Sequence, residues 1–105
     1  MTETPILTRL ASLATGSIPS EVIEGIPARV IDIVGIAVRA STLDASRSIV
    51  GFSTDQGTAP QSTAIGASAK MSTAEAAFVN GVLAHSLDYD DTHLPSILPP
   101  SASVV

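Results

Sequence analysis

Apolar residues recur at helical spacing from the start of the chain. Ile6, Leu7, Leu10, Leu13 and Ala14 share one face, the three- and four-residue spacing of an amphipathic helix. Thr4 suits an N-cap with Pro5 in the first turn, and Gly16 suits a stop. Pro19-Ser20 opens a second helical stretch. Pro27 predicts a break or kink within it, because proline removes a hydrogen bond and crowds the preceding turn. The helix then resumes through Val30, Ile31, Val34 and Val38. A strand is the competing reading for so many β-branched residues; the length and the placement of Arg29, Asp32 and Arg39 favour helix.

Asp44 can cap a short helix reaching about Phe52, residues 54–61 read as a loop, and residues 62–65 read as a short strand before Gly66. Ser72-Thr73-Ala74-Glu75 is the clearest local signal. It is a capping box, in which the serine hydroxyl takes the backbone N–H of the glutamate and the glutamate reaches back. The helix it opens is expected over about 72–87. It is apolar nearly all round, which predicts a central, buried helix. Pro95, Pro99 and Pro100 forbid a regular helix between them, and Ser101 caps a new element. The apolar end Ala102-Ser103-Val104-Val105, in mid-pattern, reads as a truncation. The fold class is all-α, in one partial domain over residues 1–105.

Composition sharpens this picture. Hydrophobic residues make up 45% of the 105 and charged residues 14%, against roughly a quarter charged in ordinary soluble domains. Some apolar faces are therefore expected to meet a second surface, and a homo-oligomer is one way. The net charge is −5. With no basic stripe and only Phe52, Phe78 and Tyr89 as aromatics, nucleic-acid binding is not expected. The absence of cysteine excludes disulfides, thiolate metal sites and cysteine nucleophiles. The apolar run Ile33 to Val38 is too short to span a bilayer, and the first residues lack the positive start of a signal peptide. A cytoplasmic location away from membranes is the expectation.

Chemistry concentrates in one place. Both histidines and three of the ten acidic residues fall in His85-Ser86-Leu87-Asp88-Tyr89-Asp90-Asp91-Thr92-His93. Three readings compete. Aspartates at a helix end can be a solvated surface, although a helix C-terminus disfavours negative charge. His85 and Asp88 are three apart on one helical side, and Asp90, Asp91 and His93 could close round a divalent ion; the spacing matches no strong metal signature. The third reading is an acid/base site at the end of a buried helix. There a carboxylate beside apolar surface has its charged form disfavoured. Asp88 is the best placed, and Thr92 could hydrogen-bond a substrate oxygen.

Asn80-Gly81, the string from His85 to His93, and Pro100-Ser101 together resemble the N-terminal signature of the MmgE/PrpD family. The family includes 2-methylcitrate dehydratase, cis-aconitate decarboxylase and iminodisuccinate epimerase. Weaker similarity runs upstream through Pro19 to Val22, Asp32 and Gly35, and Ser72 to Ala77. The resemblance implies the beginning of a helical domain that full-length members join to a smaller α+β domain, with the active site between them. It implies a lyase acting on small di- and tricarboxylates: proton abstraction next to a carboxylate, then loss of water, loss of CO₂ or epimerisation. It implies homodimers and neither cofactor nor metal. By position, Asp88 and Thr92 match active-site residues, while His85, Asp90, Asp91 and His93 bind substrate or support the loop. The family usually has a histidine where Pro99 stands, and a proline cannot move a proton. The chain alone is expected to be inactive. The alternative is a non-enzymatic helical fragment that associates through its apolar faces, or a degenerate gene product.

Overall fold

The computed structural model describes residues 4–56 and 59–104, and it is helical. Helices α1 (Ile6–Thr15), α2 (Ser20–Ala40), α3 (Asp44–Asp55), α4 (Thr73–His85) and α5 (Ser101–Val104) follow one another. Pro5 and Pro19 are the N-caps of α1 and α2, and Gly16 ends α1. Pro27 lies inside an unbroken 21-residue helix, so the expected break is absent. The whole of residues 20–32 is exposed. A backbone carbonyl that loses its partner there still faces solvent, which lowers the cost of the proline. Asp44 is the first residue of α3, capped by Leu43, and the helix runs to Asp55. Of the loop expected over 54–61, residues 54 and 55 are helical and residues 57–58 lie outside the described residues. The strand expected over 62–65 reduces to one antiparallel bridge between Ser62 and Met71.

The capping box is present. Ser72 Oγ accepts the Glu75 N–H, and Glu75 returns to the Ser72 N–H. Helix α4 ends at His85 rather than Leu87. It packs against α2, α3 and α5. Ala76, Val79, Leu83 and Ala84 are its buried face, while Ala77, Phe78 and Gly81 are exposed. The expectation of an all-round buried helix is met on one side only. The opposite face has nothing among the described residues to cover it.

The core is built from small side chains. Ala37, Ala40, Ala64, Met71, Ala76, Val79 and Leu83 form it, with Ile49, Val50, Ile65, Ala67 and Leu87 at its edge. Alanine at facing positions lets α2 and α4 approach closely. The α2 residues that reach this core are Ile33, Ile36, Ala37 and Ala40. Val30, Ile31, Val34 and Val38 are exposed, with Ile31 at 72% and Val38 at 53%. Asn80 clamps the chain that crosses α4. Its Oδ1 accepts the Ile65 N–H at 2.8 Å and its Nδ2 donates to the Thr63 carbonyl at 3.2 Å.

Helix α1 has no buried residue, and its leucines and isoleucine stand exposed. The molecule extends over 54 × 27 × 24 Å with a radius of gyration of 16.8 Å, against about 13 Å for a compact 100-residue domain. Exposed large apolar side chains line α1 and α2 and recur at Phe52, Phe78, Leu94, Ile97 and Leu98. No described helix is long and apolar enough to cross a membrane.

Candidate functional site

The chemistry sits where α4 stops. The Ser86 N–H bonds back to the Leu83 carbonyl and the Asp88 N–H to the His85 carbonyl. Asp88 then takes a positive φ of 53°. Aspartate is among the few residues that enter this left-handed region readily, so Asp88 turns the chain just beyond the helix end, where Ser86 is the C-cap. Asp88 is exposed; the burial expected of it is absent, because the helix ends before reaching it.

The turn brings Asp90 under the helix end. Its side chain is 1% exposed, and Oδ1 and Oδ2 lie 2.9 and 3.1 Å from Nδ1 of His85. His85 is the last residue of α4, where the helix dipole favours a positive group. An ionised carboxylate only accepts, so this contact is a hydrogen bond when Nδ1 of His85 carries the proton. Ligand atoms of His85, Asp88 and Asp90 lie within 4.8 Å of one another, close enough to approach one divalent ion. Both Asp90 oxygens, however, already lie on Nδ1 of His85, which competes with any ion for them.

Asp91 faces the other way. Its Oδ1 accepts the Ser101 N–H at 3.1 Å, and its Oδ2 pairs with Nη1 of Arg29 on α2. The same guanidinium nitrogen lies 3.3 Å from Ser101 Oγ. The Ser101 hydroxyl foremost, then its N–H and the Arg29 guanidinium, hold the Asp91 carboxyl below its ordinary value. The sign of the linkage follows. A depressed carboxylate stabilises the fold above the unfolded value, and that contribution is lost as pH falls through the folded one. The tie between Arg29, Asp91 and Ser101 is expected to persist below pH 3.8, the ordinary value for the group. Amide hydrogen exchange at Ser101 reads this directly. Protection that ends above that pH, or an unchanged profile in Asp91→Asn, removes the assignment.

Thr92 is exposed and lines a cleft of about 520 Å³ with Arg29, Asp91, His93 and Ser101. His93 and Leu98 close a small turn by their antiparallel bridge, with His93 Nδ1 2.7 Å from Ser96 Oγ. Within it Ile97 has φ 53°, a strained conformation for a β-branched residue. A second cleft, of about 530 Å³, is lined by Gly81, His85, His93, Ser96 and Pro99 among others. The structure therefore divides the cluster. His85, Asp88 and Asp90 gather at the helix end, while Asp91 and Thr92 face Arg29, and His93 borders both clefts. Arg29 was not legible as a site residue. Its only sequence signal is a lone cation between Ala28 and Val30 in an apolar stretch.

No curated protein and no solved structure matches the chain. A family model does, described as the MmgE/PrpD N-terminal domain, over residues 6–105. The match takes in every helix and the whole cluster from His85 to His93, and the chain belongs to the MmgE/PrpD family.

Proposed function

We propose that this chain carries the N-terminal part of a lyase for small di- and tricarboxylates, resembling 2-methylcitrate dehydratase. The reaction class is proton abstraction next to a carboxylate with loss of water. The observation that carries the reading is family membership over residues 6–105 together with the cluster of titratable side chains at the end of α4. Asp88 moves a proton or orients the group that does, and Thr92 contacts a substrate oxygen. His85, Asp90, Asp91 and His93 shape the site. Asp88, Asp90 and Asp91 make it acidic, and the one guanidinium beside it is paired with Asp91. A polyanionic substrate needs further cations and an enclosing wall, and positioning is much of catalysis. The chain by itself is therefore expected to give no turnover. A homodimer in the cytoplasm fits the exposed faces of α1 and α2.

NMR titration of the chain with citrate tests this. Weak binding is expected, of millimolar order or roughly −4 kcal/mol, with shifts confined to residues from His85 to His93 and to Arg29. Thr92→Ala should weaken it about 2–10-fold, the worth of one hydrogen bond of about 0.5–1.5 kcal/mol. Shifts elsewhere, or none, sink the proposal. A second reading, a helical piece that only associates, is favoured by one observation: α1 has no buried residue. Concentration-dependent self-association without citrate shifts would select it.

A further inference from the structure

Among the described residues the buried carboxylate at the centre of the cluster has one side-chain partner, His85, which lines a cleft. Asp90 is 8% exposed as a residue, and its side chain is 1% exposed. Burying a charge is costly unless it is paired and hydrogen-bonded. Its two oxygens both lie on Nδ1 of His85, five positions earlier. The His85 side chain is 52% exposed. With Nδ1 turned towards the buried carboxylate, the exposed edge of the ring is the opposite one, which bears Nε2. His85 lines the cleft of about 530 Å³ together with His93, Ser96 and Pro99.

We infer that Asp90 is a positioning residue that fixes His85 as the Nδ1–H tautomer and presents Nε2 to this cleft as the proton acceptor of the site. This deepens the lyase reading above and rests on it. The two ring nitrogens of a histidine are distinct, and the hydrogen bond made by one sets the state of the other. A carboxylate that accepts from Nδ1–H leaves the Nε2 lone pair free. The charged and titratable groups around the ring are Asp90 on Nδ1, Asp88 within 4.8 Å, and His93 across the cleft.

The step balances without any co-reactant. Nε2 takes the proton from the carbon next to a substrate carboxylate. The C–H electron pair becomes the second bond of the alkene, and the C–O bond breaks. The imidazolium returns its proton to the departing hydroxyl, which leaves as water, so the site ends as it began. The pairing also bears on Pro99. Proline there carries no acid or base, but it lines the same cleft as His85, so on this inference an imidazole is still available to that space.

Nitrogen-15 NMR of the two histidine rings in the intact chain tests the inference, because the protonated and bare ring nitrogens have well-separated shifts. In the neutral ring, His85 is expected as Nδ1–H with bare Nε2. Asp90→Asn should convert it largely to Nε2–H, while His93→Gln leaves it unchanged. Asp90→Glu should keep the original tautomer, a rescue that a merely space-filling role would not give. Wild-type His85 found as Nε2–H overturns the inference whether or not the variants fold, and so does an Asp90→Asn spectrum identical to wild type. Citrate separates this failure from that of the lyase reading. A citrate-induced shift at Nε2 supports both. The expected tautomer with no citrate response at any residue keeps the orienting role of Asp90 and removes the carboxylate reading, and with it the role of Nε2 as proton acceptor.

Discussion

Leu83→Ala is expected to lower the stability of the fold by about 2–5 kcal/mol, the usual cost of emptying a buried leucine site. Leu83 is 0% exposed, and it stands among Ala37, Ala40, Ala76 and Val79. The alanines cannot swing in to fill the space, while Met71 of the same cluster is flexible enough to relax towards it, so the middle of the range is expected. Domains of this size are held by only about 5–15 kcal/mol, so the variant sits near its unfolding midpoint under mild denaturant. The consequence reaches the site, because His85 follows Leu83 by two positions on the same helix. Urea unfolding followed by circular dichroism measures the loss. Phe78→Ala on the same helix is the control: Phe78 is 52% exposed, and surface changes usually stay within about 0.5 kcal/mol. Equal losses in the two variants would show that α4 does not bury the face described above.

Gly66→Ala is the second large effect. Gly66 has φ 77°, and a side chain in the left-handed region costs about 1–2 kcal/mol. A Cβ there would also collide with Cβ and Oγ of Ser41, at the C-terminus of α2. Overpacking of this kind typically adds about 1–3 kcal/mol. The sum, about 2–5 kcal/mol, combines two causes that can be separated. Ser41→Gly added to Gly66→Ala removes the collision and leaves the backbone strain. The double variant should therefore recover part of the loss and no more. Full recovery would mean that the backbone cost is negligible, and no recovery would mean that Ser41 does not meet this turn. The same turn carries Ile65, whose N–H is held by Asn80, so its loosening should reach the middle of α4.

Much of the local structure was legible before any coordinates. The Ser72–Glu75 capping box starts α4 as read, and Pro19-Ser20 starts α2. Gly16 ends α1, and Ser101 opens α5. These signals are short-range: each satisfies backbone groups within one turn, so the sequence states them outright. Of the break or kink expected at Pro27, the break is absent, because the penalty of an interior proline depends on whether the released carbonyl is buried, and residues 20–32 are exposed. The strand at 62–65 misled because a β-branched pattern needs a long partner, and Met71 offers a single bridge.

The site was legible as a cluster, not as an arrangement. Asp88 was expected at the edge of the core; it is exposed at a left-handed turn. Asp90 and Asp91 are neighbours of the same type, yet one is buried on His85 and the other pairs with Arg29, 62 positions away. Nothing local distinguishes them. By itself the sequence determined the helices to within a few residues, the Ser72–Glu75 capping box, the family and where the titratable groups cluster. Only the tertiary structure decided which helix faces meet and which side of α4 stays open. It also decided which aspartate lies on His85 and which one pairs with Arg29. Helical periodicity fixes which residues share a face, but which faces pack together depends on the fit of distant side chains across the alanine-lined seam between α2 and α4.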